Sequence, residues 1–186
     1  MGSNFCKDIL LEDCDISRFD AHMGVSRGVI RRCRLGHQCL NLIGFGEFLI
    51  EDSFALGTSF IGLRSDYGSF FRGKVTIRNC NWRPKSPDYT STVFSAMNTG
   101  DHDFGYKYYM PTEIIIDGLT VEDEEVYDGV ELYILPNYAD APTDQMPFPN
   151  VPTGKLTYSG IVSNKGREVK VCQHPELYPD LEVTEA

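Results

Sequence analysis

Basic residues are scarce. Lys and Arg number 17 against 27 Asp and Glu in 186 residues, a net charge of −10. A surface this acidic repels phosphate, which excludes general nucleic-acid binding and attraction to anionic membranes. No apolar run approaches the ~18 residues that a membrane-spanning helix needs. Residues 1–15 (MGSNFCKDILLEDCD) have neither the basic start nor the continuous apolar segment of a signal peptide. Long helical periodicities are missing as well. What is present is 17 Gly, 10 Tyr and 11 Phe in a chain that is 41% hydrophobic and 24% charged. Its apolar runs are short, rich in Ile, Val and Phe, and bounded by Gly, Asn, Asp or Pro, which is strand-and-turn punctuation. The composition implies one all-β domain over residues 1–186.

Six segments align without gaps: ILLEDC (9–14), GVIRRC (28–33), FLIEDS (48–53), VTIRNC (75–80), IIIDGL (114–119) and LTYSGI (156–161). Their first, third and sixth positions are apolar or small. Their fourth and fifth are charged, polar or Gly. The third residue therefore points inward, polar residues turn the chain, and the sixth points inward again. Successive sixth positions lie 19, 20, 27, 39 and 42 residues apart. Spacings near 20 suit short strands and turns wound into a coil, with insertions lengthening the later loops. One such coil cannot bury its own apolar face, so it must stack in parallel on the next. A second strand follows each early segment: DAHMGV (20–25), CLNLIG (39–44) and FIGLRS (60–65). Aligned position by position, they place Ala21, Leu40 and Ile61 inward. They place Asp20, Cys39 and Phe60, and then His22, Asn41 and Gly62, outward.

The repeated I-x-I-x-[DN]-C pattern and its stacked small residues resemble the right-handed parallel β-helix of the pectate-lyase-like superfamily, over roughly residues 4–124. The resemblance implies a single-stranded solenoid of about six coils. It also implies a polysaccharide or oligosaccharide partner bound along an outer face, and a location outside the cell or on its surface. The superfamily holds polysaccharide lyases, glycoside hydrolases, adhesins and tailspikes. The polygalacturonase motifs and the pectate-lyase W-I-D-H signature are absent here, Gly36-His37-Gln38 being the nearest approach to Gly-His-Gly. Two readings follow: cleavage of a polysaccharide as hydrolase or lyase, or a non-catalytic binding, adhesin or tailspike-like module or inactive enzyme fragment. The chain is short for the fold, and its first rung has an open edge. Further coils or a homo-oligomer are expected to cover that edge. Residues 125–153 break the repeat and read as a long side loop with a strand near 130–135. Residues 175–186 read as a loosely held acidic tail.

Candidate chemistry gathers on the second-strand face. Asp66, Asp101, His102 and Asp103 are the expected catalytic groups, since a carboxylic acid or imidazolium can protonate a glycosidic oxygen while a second carboxylate activates water. Asp20, His22, His37, Asn41, Arg64, Tyr67 and Tyr106 are the expected substrate-binding groups. His22 is taken as the vertical neighbour of Asn41, and Arg64 as a clamp for a substrate carboxylate or oxyanion. On the coil after Arg64, the turn at 100–105 equally suits an Asx-turn. No cofactor is required. Ca2+ on Asp66, Asp101 and Asp103 is the one metal considered, because alternating Asp oxygens suit it. Cys33, His37 and Cys39 do not converge on zinc, since Cys33 faces in and Cys39 out. Of the six cysteines, Cys14, Cys33 and Cys80 share one inward column, where free thiols act as small apolar fillers.

Overall fold

A computed structural model of the chain describes residues 2–3, 6–21, 25–36, 40–42, 44–64, 71–85, 90–97, 108–124, 126–137 and 150–186, with residues 2, 3, 64, 97, 108 and 150 described by backbone alone. The first strands are β1 (Gly2–Ser3), β2 (Asp8–Glu12), β3 (Asp15–Ile16), β4 (Phe19–Ala21), β5 (Arg27–Arg31), β6 (Arg34–Leu35) and β7 (Leu40–Leu42). Then come β8 (Gly44–Glu51), β9 (Phe54–Gly57), β10 (Ser59–Arg64), β11 (Phe71–Pro84), β12 (Ser91–Met97) and β13 (Tyr108–Tyr109). The last are β14 (Glu113–Val121), β15 (Leu132–Tyr133), β16 (Asn150–Val151), β17 (Lys155–Ser163), β18 (Val169–Lys170) and β19 (Glu182–Glu185), with a 3-10 turn at Pro175–Leu177. Among the described residues there is no α-helix.

Among the described residues the strands form two large open parallel sheets and one two-stranded parallel sheet, β13-β16. Sheet A runs β1-β4-β7-β10-β12-β15-β18, and sheet B runs β2-β5-β8-β11-β14-β17-β19, with β3, β6 and β9 in a side branch that joins β11. All-β architecture, parallel stacking and the absence of closure are consistent with a parallel β-solenoid. The six aligned segments pair in register. Ile9, Gly28, Phe48, Val75, Ile114 and Leu156 form one column, and Leu11, Ile30, Ile50, Ile77, Ile116 and Tyr158 form the next. Phe48, Ile50, Val75, Ile77, Ile114 and Ile116 are at most 1% exposed. Each such side chain contributes roughly 1.5–3 kcal/mol on burial. Gly28 fits this bulky column because Phe48 fills its space: a Cβ on Gly28 would lie 2.3 Å from the Phe48 ring.

The corner after these columns is a column of left-handed residues. Asp13, Arg32, Asp52 and Asn79 have φ of 54°, 51°, 48° and 47°, and Gly118 and Gly160 have 85° and 62°. A one-residue corner needs this conformation, which Asp, Asn and Gly accept most readily. That is the physical basis of the [DN] in the repeat. Arg32 departs from the pattern and is held by acids: Nε donates to Asp13 Oδ1 at 2.8 Å, and the Nη2 group reaches Asp13 Oδ2 at 3.0 Å and Glu12 at 2.8 Å. Asn79 Nδ2 donates to Asp52 Oδ1 at 2.6 Å one rung apart. The chain then turns Cys33, Ser53 and Cys80 back into the core, as expected.

Sheet A corrects the expected register at its first step. Phe19 pairs with Leu40, Asp20 with Asn41 and Ala21 with Leu42, whereas Leu40, Asn41 and Leu42 pair with Ile61, Gly62 and Leu63 as aligned. Ile16 pairs with Leu35, but only residues 17–18 separate β3 from β4, against 36–39 between β6 and β7. The shorter corner advances β4 by two residues. A slip of two preserves the inward–outward alternation, and Phe19 takes the inward slot at 0% exposure. Phe60 is a second correction: expected outward, it is 1% exposed. Alternation lapses there, and Ser59, Phe60 and Ile61 are buried in succession beside the corner with β9.

Within residues 125–153, β15 stacks on β12 in sheet A, with Leu132, Ile134 and Leu135 at 0% exposure. The strand expected near 130–135 is thus β15, a rung of sheet A, and residues 125 and 138–149 lie outside the described residues. Within 175–186, β19 pairs along β17 from Glu182 to Glu185, so this segment is tied to sheet B although all four of its strand residues are exposed.

Sheet B carries a feature that the repeat alignment left unread. Asp8, Arg27, Glu47, Lys74, Glu113, Lys155 and Glu182 are successive partners on its outer face. Their signs alternate at every step. A second ladder, Glu12, Arg31, Glu51, Arg78 and Asp117, is joined by ion pairs of 3.5, 3.3, 3.6 and 3.6 Å. If a rung paired with the next but one, like charges would meet along both ladders, so the alternation specifies the order of stacking.

Candidate functional site

The outer face of sheet A was the expected site. There Asp20 and Asn41 are direct partners in adjacent strands. Asp20 is 8% exposed and pairs with Arg18 Nε at 2.7 Å. Asn41 lies over the next rung, where Gly62 leaves room for it: a Cβ on Gly62 would sit 2.5 Å from Asn41 Oδ1. Asp20, not His22, is therefore the vertical neighbour of Asn41. The backbone of Arg64 pairs with Met97, which sets the end of β10 beside the end of β12. His22, His37, Asp66, Tyr67, Asp101, His102, Asp103 and Tyr106 lie outside the described residues, so their proposed convergence with Arg64 stands as an expectation. Among the described residues, no group of three His, Cys, Asp or Glu is placed to hold a metal.

Further along the same sheet is a groove of about 300 Å³, lined by Thr90, Thr92, Ser95, Ala96, Tyr133, Leu135, Pro136, Asn137 and Gln173. Three successive rungs build it, since Thr92 pairs with Tyr133 and Tyr133 with Lys170. Ser95 shares a 2.8 Å hydrogen bond with Ser59, which fixes one wall. Tyr133 is 4% exposed. Its hydroxyl donates to Glu131 Oε2 at 2.5 Å, and Lys170 Nζ donates to Glu131 Oε1 at 2.5 Å while lying 5.9 Å over the Tyr133 ring. The Lys170 ammonium, and after it the Tyr133 hydroxyl, hold the Glu131 carboxyl below its usual range. The carboxylate in turn raises Tyr133 and Lys170.

The groove thus offers hydroxyls, amides and a tyrosine ring, with its adjacent charges paired to each other. Such a surface suits a ligand rich in hydroxyls and low in charge. Sequence reasoning missed it because the strand expected near 130–135 was assigned to a side loop and not stacked on β12. The alternation in Thr90-Ser91-Thr92 was the available signal.

Two other polar clusters are structural. Asp123 is 0% exposed and Arg167 11%. Asp123 accepts from Arg167 Nε at 2.9 Å, from its Nη2 group, and from Ser163 Oγ at 2.5 Å. On another corner Arg34 and Arg83 lie 4.9 and 5.7 Å from the Phe54 ring, and Arg83 also pairs with Glu122 at 2.6 Å. Comparison with protein-family models, curated proteins and solved structures finds no match.

Proposed function

We propose that the chain is a right-handed parallel β-helix of about six coils, of the pectate-lyase-like type, that binds a neutral oligosaccharide or polysaccharide along the outer face of sheet A. The single observation that carries this reading is the groove over β12, β15 and β18. Thr90, Thr92, Ser95, Asn137 and Gln173 supply hydrogen-bonding groups at separate points, and the largely buried Tyr133, Leu135 and Pro136 line the groove between them. Sugars are recognised by such sets of oriented donors and acceptors beside a flat apolar patch. Binding is favoured over cleavage at this groove because its neighbouring carboxylate, Glu131, is engaged through both oxygens by Tyr133 Oη and Lys170 Nζ, each at 2.5 Å. The net charge of −10 favours a neutral glycan over a uronate polymer.

The cleavage reading rests on Asp66, Asp101, His102 and Asp103 with Arg64 as clamp. One experiment separates the two. Neutral and uronate oligosaccharides are offered to the protein, binding is measured by calorimetry, and turnover by new reducing ends and new ultraviolet absorbance. Binding of a neutral glycan without turnover, weakened at least tenfold by Thr92→Val in a folded variant, supports the proposal. Turnover of a uronate polymer, lost in Asp66→Asn or Asp101→Asn, favours cleavage. Absence of binding to any glycan refutes both.

A further inference from the structure

Among the described residues sheet B ends at β2 and β19, which are built to the same pattern and both carry an acid in the first ladder. At one end β2 carries Asp8 in the first charge ladder and Leu11 in the inward column. At the other end β19 continues the same columns: Glu182 stands over Lys155, Val183 over Leu156, Thr184 over Thr157 and Glu185 over Tyr158. Every pairing in the stack is parallel and in register. A second copy placed on β19 would therefore meet it with β2, and place β1 on β18. Glu182 would then face Asp8, and Glu185 would face Leu11.

We propose that a head-to-tail stack of two copies of this chain is a latent interface, and that Glu182 and Glu185 hold it open. Two features of the terminal strands carry this. The first ladder has an odd number of members, so it begins and ends on an acid. Within the chain each acid of that ladder has a base beside it; across the junction Glu182 would have Asp8. Like charges directly opposite in a sheet repel. The second feature is Glu185, which occupies the core column that runs Leu11, Ile30, Ile50, Ile77, Ile116 and Tyr158. As the outermost strand, it remains exposed and accepts from Tyr158 Oη at 3.3 Å. A second copy would bury that carboxylate against Leu11 with only this one partner, and burial of an ionised carboxylate without full compensation is prohibitive. An inward-pointing charge on an edge strand is a device that keeps β-sheets from extending into one another. The sequence led to the expectation of further coils or a homo-oligomer covering the first rung; of these, the ladders disfavour a head-to-tail second copy.

Light scattering after size exclusion, with circular dichroism to verify folding, tests the proposal. The unaltered chain should run as a monomer at micromolar concentration. Glu182→Lys/Glu185→Leu should associate, since the introduced lysine would meet Asp8 and the introduced leucine would meet Leu11, and its mass should at least double. Asp8→Lys/Glu185→Leu moves the change of charge to the opposite end and should associate likewise, through Glu182 and the new lysine. Combining Asp8→Lys with Glu182→Lys/Glu185→Leu restores like charge at the junction and should return the chain to monomer. The proposal is overturned if the unaltered chain forms end-to-end stacks, if both double variants remain folded monomers, or if the triple variant associates as strongly as the doubles.

Discussion

Replacing Asp123 by Ala offers the sharpest test of the described core. Asp123 has no exposed surface, and its partner Arg167 is 11% exposed. The carboxylate accepts from two groups of Arg167 and from Ser163 Oγ, while its backbone N–H donates to Asn164 Oδ1 at 2.9 Å. Truncation would leave the Arg167 guanidinium mostly buried, with its remaining bond from Nη1 to the Val130 carbonyl at 3.1 Å. Removing one partner of such a pair costs about 3–5 kcal/mol, because a buried charge loses its counter-charge. In a domain of this size each kcal/mol moves the melting temperature by about 2–4 °C, so a fall of roughly 6–20 °C is expected. The exposed pair Lys155–Glu113, at 3.5 Å, should by contrast contribute about 0–1 kcal/mol. Urea denaturation with calorimetry measures both. The double replacement Asp123→Leu/Arg167→Met should recover most of the loss, since neither charge then remains buried. A loss under about 1 kcal/mol for Asp123→Ala, or a double variant no better than the single, would refute the buried-pair account.

Four further outcomes are expected. Asn79→Val should cost about 1–2 kcal/mol through left-handed strain and loss of the bond to Asp52, while Asn79→Gly should cost less; urea midpoints distinguish them. Gly73→Ala should cost about 2–5 kcal/mol, because its Cβ would fall 2.0 Å from the Gly46 carbonyl oxygen at a φ of 150°; a melting temperature like that of the unaltered chain would contradict this packing. Glu131 is held low by Lys170 and then Tyr133, so its stabilising contribution is full above the ordinary carboxylate range and is lost as pH falls through the lowered folded value. Titration of unfolding between about pH 5 and 3 should show this loss, and Lys170→Met should remove that part of the slope. Burial pushes the Cys80 thiol up to about 11, so maleimide should label exposed Cys6 in the folded chain and Cys80 only on unfolding.

Much of sheet B was legible in the sequence because its alternation is strict and its corner chemistry is demanding. The columns from Ile9 to Leu156 and from Leu11 to Tyr158 were read from spacing alone, and the pairing registers agree. The Asp and Asn of the fifth position announced a turn, and their positive φ gives the cause. Sheet A was less legible. A two-residue slip between β4 and β7 keeps every apolar residue inward, so hydrophobic pattern alone has no means of choosing between the two registers. The strand near 130–135 was read, but its place as a rung of sheet A was not, because Leu132–Tyr133 is only two residues long and lies between stretches without repeat. The groove depends on that rung. It brings Thr92 beside Tyr133 across an interval of 41 residues, a proximity that no local motif records.

The sequence by itself determined the class of fold. Period-two apolar residues, small residues at fixed intervals and turn-formers at one repeated position admit parallel stacked strands, because such a pattern buries its apolar face only against copies of itself. It also contained the alternating charges of both ladders, although their meaning appears only once the rungs are stacked. Tertiary structure decided which rung meets which when corners differ in length. It also decided whether a given polar residue faces solvent, an ion pair or a groove. Corner length shifts a strand by whole side-chain periods at almost no hydrophobic cost, and surface contacts in a stacked fold form between residues tens of positions apart. Inward and outward are local properties of a strand, whereas the neighbours across which a ligand or a second copy would lie are set by the stack.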